Sequence, residues 1–524
     1  MSYLYNKNVN VQNNNVAVSV SNPLPVTAGG ASFDVVLKGA TAYSAFGEPL
    51  ATQLTPAVQL DGIYGLPTRD FETYTNSGGV ANTKNIMFNV ESGTTAGSYG
   101  VIRSRKLIRY RPGQGALCRL TAAFSTPHAN TTQRAGLFSQ EQSLCVGYNG
   151  NTFGILIQNG GKADIRELAI TTGAGGAETG TVTLNGTAFT VSLTSGTPAA
   201  TASAIANKSG GYAGYVVEQV GNSVFFLSAS LGPKTGTFSF SSTGAAVGTM
   251  SQKQVGVVGN DNWIPQTEWN YDRLDGTANT TNPSGMLLQP DKLNIYQINY
   301  RWLGAGEIRF AVEDSLNGDM IYVHHYHYSN RYATPHIDNP SLKIGYSAAN
   351  LGAGTSNNVS VVGASIMGAI EGIVGTSKYT NSAGSGAKST LAQGQTHHLI
   401  SIRNQLIFNN KINLNGAVAK SLSIAIQGQD PAEVYLFYNP TTFSTNFIWT
   451  NAFETAVAYS TTDGTFTLEQ EAPVATYVIP ISGSAIIDLE QLSLSCPPNN
   501  ILTVAIRASA QISRATASLI WLQE

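Results

Sequence analysis

The strongest constraint on the fold of this chain is the alternation of side chains in residues 294–328. Apolar and aromatic residues take every second position in three successive stretches: Tyr296, Ile298, Tyr300 and Trp302; Ile308, Phe310 and Val312; and Met320, Tyr322, His324, Tyr326 and Tyr328. Such alternation is typical of antiparallel strands with one buried face. Short breaks rich in Gly, Asn and Asp separate the stretches, as hairpin turns do. The pattern predicts a three-stranded meander at the centre of a β-sandwich.

The length and composition favour several β-rich domains. A chain of 524 residues is too long for one ordinary core, which predicts two to four domains. Charged residues make up only 11% of the chain, against roughly 25% in typical soluble domains. The 54 glycines suit many short strands and turns. A surface of hydroxyl and amide groups can pack against other proteins without desolvating ions.

The charge distribution and hydropathy exclude several classes of partner. The formal net charge is −2 and no basic stripe is present, so we expect no nucleic acid. The sequence contains no run of about 18 apolar residues, so we expect no membrane insertion. The N-terminus lacks the apolar core of a signal peptide. The three cysteines, Cys118, Cys145 and Cys496, are widely spread without a CxxC pair, which predicts buried thiols.

The first half of the chain is predicted to hold an arm and a split sandwich. Residues 1–50 are rich in Asn and half apolar, which is typical either of an extended arm that adds a strand to a neighbouring subunit or of a disordered terminus. Residues 51–170 and 256–371 carry the strand pattern of one β-sandwich. Between them, residues 171–255 change in texture.

Residues 171–255 are predicted to be an inserted β-rich module. They contain a hairpin closed by Asn185-Gly186 and one helix capped by Thr197. Residues 372–396 are rich in Gly, Ser and Ala and predict a linker, and residues 397–524 predict a second sandwich or jelly roll of eight strands. The expected fold class is therefore mostly β: a jelly-roll or lectin-like β-sandwich with an inserted small α+β module and a C-terminal β-sandwich.

Several segments resemble structural proteins of tailed-phage virions. They include RYRPGQGALCRLTAAFSTP at 109–127, TTQRAGLFSQEQSLCVGYNGNTFGILIQNGG at 131–161 and NPSLKIGYSAANLG at 339–352; residues 269–314 and 494–524 continue the likeness. The stretch TVTLNGTAFTVSLTSGTPAATASAIA is similar to small β-rich insertions of tail sheath, fibre and spike proteins. The resemblance covers about two thirds of the chain. It implies a place in a virus particle, and it implies no catalytic residues.

Three clusters are candidate chemical sites. His325 and His327 share a face of a strand and could chelate a metal, but structural packing is favoured because no paired carboxylate follows at a useful spacing. The same interpretation is favoured for His397 and His398. Glu313, Asp314 and Asp319 could pair as the acid and base of a glycosidase. Turn chemistry is favoured instead, because two of them flank the Asn317-Gly318 turn. We therefore expect no enzyme, no cofactor and no bound metal.

The aromatic residues near strand ends and loops form a candidate binding set: Trp263, Trp269, Tyr271, Tyr326, Tyr328 and Tyr332. Exposed rings beside polar side chains hold glycans in lectin-like sandwiches, because a ring offers rigid apolar area at low entropic cost. The favoured alternative is that these rings anchor the core or a protein interface.

The sequence predicts a structural protein of a tailed-phage virion: a fibre, baseplate or head-associated appendage, assembled in the host cytoplasm as a homo-oligomer, by hypothesis a trimer. Its partners would be other virion proteins. The alternative is a receptor-binding adhesin that recognises a host surface polysaccharide and mediates host attachment. A polysaccharide depolymerase is the third hypothesis, disfavoured by the lack of a credible acidic pair and of a β-helix repeat.

Overall fold

The computed structural model describes residues 12–13, 16–17, 53–352, 357–372, 379–492 and 494–523. The chain divides into two compact units, Met1–Leu54 and Thr55–Glu524. Within the first unit, β1 (Gln12–Asn13) and β2 (Val16–Ala17) pair antiparallel. Apart from these two strands, the predicted arm lies outside the described residues and stays a prediction.

Almost all regular structure in the described chain is β-strand. The first stretch holds β3 (Leu54–Asp61), β4 (Phe71–Asn76), β5 (Val80–Lys84), β6 (Met87–Glu91), β7 (Tyr99–Ser104), β8 (Gly115–Phe124), β9 (Thr131–Phe138), β10 (Ser143–Asn149) and β11 (Thr152–Asn159). Next come β12 (Ala163–Thr172), β13 (Glu178–Leu184), β14 (Thr187–Leu193), α1 (Pro198–Ala206), β15 (Tyr215–Val220), β16 (Ser223–Leu231), β17 (Ser239–Ser242) and β18 (Val247–Gln254).

The third stretch holds β19 (Asn260–Pro265), β20 (Asn294–Arg301), β21 (Ile308–Glu313), β22 (Met320–Tyr326), β23 (Lys343–Asn350), β24 (Ser360–Gly363) and β25 (Ser365–Glu371). The last holds β26 (Tyr379–Gly384), β27 (Lys388–Leu391), β28 (Thr396–Asn404), β29 (Ile407–Phe408), β30 (Lys411–Ile412), β31 (Ala417–Gly428), β32 (Ala432–Tyr438), β33 (Thr450–Asn451), β34 (Val457–Ser460), β35 (Thr465–Phe466), β36 (Ala475–Ile479), β37 (Ser484–Asp488), β38 (Ser495–Cys496), β39 (Ile501–Ala508) and β40 (Ile512–Gln523). Short 3-10 turns lie at Gln266–Glu268, Leu468–Gln470 and Glu490–Leu492.

Two antiparallel sheets form the first sandwich. One has the order β19-β11-β10-β9-β23-β7-β4, and the other has the order β22-β21-β20-β8-β24-β6-β5, with β25 and β3 joined to it. Side chains from both sheets form a single hydrophobic cluster, whose largest members include Phe88, Tyr296, Tyr300, Phe310 and Tyr346. The predicted fold class, a mostly β protein built on sandwiches, is confirmed.

The predicted meander is confirmed as β20, β21 and β22, with β8 on the other side of β20. Its last strand departs from the predicted parity, because Tyr322 is exposed while Val323 lies in the core. A register shift between Phe310 and Ala311, which pair with His324 and Tyr322, leaves Val323 as the extra residue of a β-bulge. A bulge moves all later side chains to the opposite face. The predicted alternation therefore assigns Tyr322, before the bulge, to the wrong face and Tyr326, after it, to the correct one.

The inserted module has its own core, formed by α1 and the sheets β15-β16-β12-β18 and β14-β13-β17. The predicted helix and hairpin are confirmed, and Thr197 Oγ1 accepts the N–H of Ala200 at 3.2 Å. The assignment of residues 165–170 to the first sandwich is wrong. β12 pairs with β16 and β18 inside the module, so the module's sheet begins before residue 171. The other predicted boundaries of the split sandwich stay predictions.

The C-terminal residues form a second sandwich with a separate hydrophobic cluster. Its sheets have the orders β26-β40-β31-β37 and β33-β34-β28-β39-β32-β36. The prediction of a linker at 372–396 is wrong for its second half, since β26 and β27 both pair with the long strand β40. A composition rich in Ser and Gly is typical of a linker. Here the edge of β40 supplies the backbone hydrogen bonds that turn the segment into strands.

The three cysteines are free thiols and all are buried, as predicted. Burial raises the pKa of each thiol well above its ordinary value. Among the described residues, no helix has the length and apolar character needed to cross a membrane.

Candidate functional site

The candidate site lies on the outer face of the meander, around the sheet's edge strand β22. The loop after β19 runs along this edge: the N–H groups of Tyr271 and Asp272 donate to the carbonyl of Val323 at 3.1 and 3.2 Å. The side chain of Asn270 imitates a paired strand, because its Oδ1 accepts the N–H of His325 and its Nδ2 donates to the carbonyl of His325, both at 2.9 Å. These bonds cover an edge that would otherwise be exposed and fix the loop to β22.

The loop places an aromatic ring directly on a histidine. The rings of Tyr271 and His325 are stacked with their centroids 3.6 Å apart, and Tyr322 meets the same imidazole edge-on at 5.4 Å. The bulge in β22 brings Tyr322 and His325 to one face although they are three residues apart. His325 is therefore held between two rings, with its side chain only 8% exposed.

A carboxylate faces this histidine from the start of the neighbouring strand. Oε1 of Glu307 lies 2.8 Å from Nδ1 of His325 and 3.4 Å from Nδ1 of His327. The other oxygen, Oε2, accepts Nε–H of Arg309 at 2.6 Å and Nη2–H of Arg301 at 3.0 Å. The two arginines thus fix the orientation of the carboxylate, so that its free oxygen points to the two imidazoles.

Burial and charge set the protonation states of this cluster. Burial acts to raise the pKa of Glu307, but the hydrogen bond and charge of Arg309 outweigh it, so the pKa lies below its usual value. Burial lowers the pKa of His325, more strongly than Glu307 raises it. The imidazole of His325 is therefore neutral near pH 7, and Glu307 is ionised. A cavity of about 150 Å³ adjoins the cluster and is lined by Arg301, Glu307, Arg309, Asn299, Tyr300, Tyr322 and Glu371.

The two histidines of the site can be recognised in the sequence, but Glu307 cannot. This residue precedes His325 by 18 positions in the chain, so no local spacing marks it. Its place is set by the register of the hairpin: Ile308 pairs with Tyr326 and Arg309 with His325, which sets Glu307 opposite His327. An unbulged register extended from the turn, where Glu313 pairs with Met320, would instead set Glu307 opposite Tyr326, so the carboxylate could not be found without the bulge at Val323.

The six aromatic residues of the predicted binding set do not form one surface. Trp269 and Tyr328 are buried, and Trp263 is half-buried in a small cluster on the outer side of β11 and β19 with Phe138, Cys145 and Leu156. Tyr326 packs partly against the main core. Only Tyr271 and Tyr332 are exposed, and Tyr332 stacks on Tyr328 at 4.5 Å, in a ring group separate from that of Tyr271.

The acidic residues near the Asn-Gly turn serve the turn, as predicted. Oδ1 of Asp314 accepts the N–H of Leu316 at 2.9 Å, and the main chains of Asp314 and Asp319 are hydrogen-bonded across the turn at 2.8 Å. No described contact joins Glu313 to them as an acid–base pair, and the geometry is that of a capped hairpin turn.

A larger cavity, of about 340 Å³, lies where the first sandwich, the inserted module and the C-terminal sandwich meet. Its charged lining residues neutralise one another: Glu72 Oε1 is 3.0 Å from Nη2 of Arg103 and 2.7 Å from Nζ of Lys343. The carboxylate of Glu72 is therefore paired with two cations, as a buried charge requires.

Comparisons with known proteins leave the family open. No protein-family model and no curated protein matches the chain. Among solved structures, a lectin from Bauhinia forficata in complex with GalNAc matches at 9% identity and a TM-score of 0.21, covering 62% of this chain and 99% of the lectin. The binding domain of botulinum neurotoxin serotype C1 matches at 8% identity and 0.24, covering 85% and 94% of the two chains. A triple jelly-roll protein of an archaeal virus turret matches at 9% and 0.16, covering 87% and 90%. At these TM-scores the likenesses carry no argument about function.

Proposed function

We propose that this chain is a non-enzymatic structural protein of a tailed-phage virion that assembles as a homo-oligomer, by hypothesis a trimer, with other virion proteins. The observation that carries the proposal is where the phage-like segments lie in the fold. Residues 109–127, 131–161 and 339–352 include β8, β9, β10, β11 and β23, which are inner strands of the two sheets of the first sandwich. The resemblance thus falls on the framework of the domain rather than on its loops.

Exposed apolar side chains support self-association. On β36, on β37 and in the turn that joins these edge strands of the two C-terminal sheets, Val478, Ile486 and Ile481 are exposed by 66%, 82% and 56%. Exposed apolar groups at a sheet edge mark interaction surfaces in soluble proteins. Sedimentation of the full chain should therefore give an oligomer, and Ile486→Asp should shift it toward monomer.

The location in the particle is tested with purified virions. Mass spectrometry should detect the chain in stoichiometric amount after density-gradient purification, and electron microscopy with antibody against the C-terminal sandwich should place it on a tail, baseplate or head appendage. Absence of the chain from purified infectious particles would overturn the proposal.

The second candidate function is host attachment through a surface glycan. It is favoured by the outer face of the meander, where the exposed ring of Tyr271 stacks on His325, which in turn lies 2.8 Å from Glu307. An aromatic face with nearby hydrogen-bonding groups suits a sugar. The wild type should bind host polysaccharide, and Tyr271→Ala should bind it at least about tenfold more weakly. The matched control is Tyr64→Ala, which removes a ring that is 93% exposed elsewhere in the chain.

A further inference from the structure

Three potential ligand atoms converge on one point of the meander. The ligand atoms of Glu307, His325 and His327 all lie within 4.8 Å of one another. Two of these separations, 2.8 and 3.4 Å from Oε1 of Glu307, are close to the spacing of roughly 3.3 Å between ligands bound at about 2.0–2.1 Å to one tetrahedral metal ion. The backbone therefore already holds the three groups near coordinating distance.

The hydrogen bonding of His325 leaves its nitrogens available. Among the described residues, neither ring nitrogen of His325 has a hydrogen-bond partner, although its side chain is 8% exposed and Nδ1 lies 2.8 Å from a carboxylate oxygen. Although Nδ1 of His325 and Oε1 of Glu307 are close, their geometry is not that of an N–H···O hydrogen bond. A buried polar atom without a partner is costly, and a cation between the nitrogen and the oxygen would satisfy both.

The surroundings hold the three groups in place. Arg309 and Arg301 bind Oε2 of Glu307 and leave Oε1 for another ligand. Tyr271 stacks on the imidazole of His325, and Asn270 binds the main chain of the same residue on both sides. Metal sites depend on such outer contacts to orient their ligands.

We propose that Glu307, His325 and His327 bind a divalent transition-metal ion through one carboxylate oxygen and two imidazole nitrogens. Two imidazoles and a carboxylate select Zn²⁺, Co²⁺, Ni²⁺ or Fe²⁺ rather than Ca²⁺ or Mg²⁺, which require oxygen ligands. The side chain of His327 is 45% exposed, so the remaining coordination positions face solvent and would take water or an external ligand. The inference is independent of the proposed virion and attachment roles.

Two guanidinium charges limit the affinity. Arg301 and Arg309 lie on the carboxylate that would bind the cation, and like charges repel it. Binding should therefore be weaker than in a closed structural zinc site with four protein ligands. Binding should also weaken as the pH falls, because protons compete with a metal ion for its ligands.

The test is titration of the full chain with Co²⁺, followed by visible absorption and by calorimetry after removal of metal with a chelator. The wild type should bind one Co²⁺ per chain, and Zn²⁺ should displace it while a large excess of Ca²⁺ should not. His327→Gln and Glu307→Gln should each weaken Co²⁺ binding by about tenfold or more. His128→Gln, which changes a partly exposed histidine in another loop, should bind as the wild type does.

The outcome that overturns the proposal is equal Co²⁺ binding by the wild type and His327→Gln. Because His327 is largely exposed, its substitution should leave the fold intact, which circular dichroism checks. Failure of Glu307→Gln to fold would leave His327→Gln to decide. Stoichiometric binding that His128→Gln abolishes would place the metal elsewhere and equally refute the site.

Discussion

Two histidine pairs in this chain look alike in sequence and differ in what surrounds them. His398, in β28 of the C-terminal sandwich, is fully hydrogen-bonded: Nδ1–H donates to the carbonyl of Thr462 at 2.6 Å, and Nε2 accepts from the hydroxyl of Ser401 at 2.9 Å. Ser401 in turn pairs with Thr503 at 2.7 Å. The carbonyl can only accept, so the chain of bonds fixes a neutral tautomer.

His325 is buried as His398 is, but its ring nitrogens are not hydrogen-bonded to any described residue. His398 is also surrounded by aromatic rings, those of Phe443, Phe447 and Phe466, as His325 is by Tyr271 and Tyr322. Yet the nitrogens of His325 have no hydrogen-bond partner in the described part of the chain. The difference teaches that burial and aromatic contact do not separate a structural histidine from a candidate ligand. The occupation of its nitrogens does.

The largest expected effect comes from removing the structural histidine. His398→Ala should lower the free energy of unfolding by about 4 kcal/mol, because it leaves a cavity among aromatic rings and strips partners from Thr462 and Ser401. Denaturant unfolding measures it. In metal-free buffer, His327→Ala should change the same quantity by less than about 0.5 kcal/mol. Equal losses from the two variants would erase the comparison.

The sequence supplied the framework of these sites and missed their chemistry. Alternation in residues 294–328 predicted β20, β21 and β22, because side-chain period and turn residues are local properties. The bulge at Val323 and the partnership of Glu307 with His325 depend on how two strands pair, which no single stretch of sequence encodes. In the same way, the role of residues 379–391 as strands depends on β40, more than 120 residues later.

The next effect is a pH dependence carried by the structural histidine. Burial, reinforced by Lys388 and opposed by Asp463 and the bond to Thr462, lowers the pKa of His398 from 6.5 to about 4. A depressed folded-state pKa means that the fold binds fewer protons than the unfolded chain. Stability is then fully present above about pH 6.5 and falls between pH 6.5 and 4, by about 3 kcal/mol at 1.36 kcal/mol per pH unit.

Unfolding curves between pH 7 and 4 measure this dependence. His398→Gln should flatten the slope, since a glutamine cannot bind the proton. Part of the slope should remain, because burial also lowers the pKa of His324 to about 4. An unchanged slope in His398→Gln would show that His398 is not the titrating group.

A third effect separates the two pairs by metal. If the meander binds zinc, free Zn²⁺ at 100 times its dissociation constant should stabilise the fold by about 2.7 kcal/mol. Thermal unfolding should show this shift in the wild type and in His398→Gln, and should not show it in His327→Gln. Loss of the shift in His398→Gln alone would assign the metal to the C-terminal sandwich.

The smallest effect concerns the ring that covers His325. Tyr271 is not one of the proposed metal ligands. Its ring stacks on the imidazole of His325 at 3.6 Å and fixes the plane of that ring. An aromatic contact of this kind contributes about 0.5–1.5 kcal/mol, so Tyr271→Ala should weaken Co²⁺ binding by about two- to tenfold. Tyr271→Phe should restore it, because the ring and not the hydroxyl makes the contact. Tyr332→Ala removes the other exposed stacked ring and should leave Co²⁺ binding unchanged. A loss in Tyr271→Phe equal to that in Tyr271→Ala would mean that the hydroxyl, rather than the orientation of His325, supports the site.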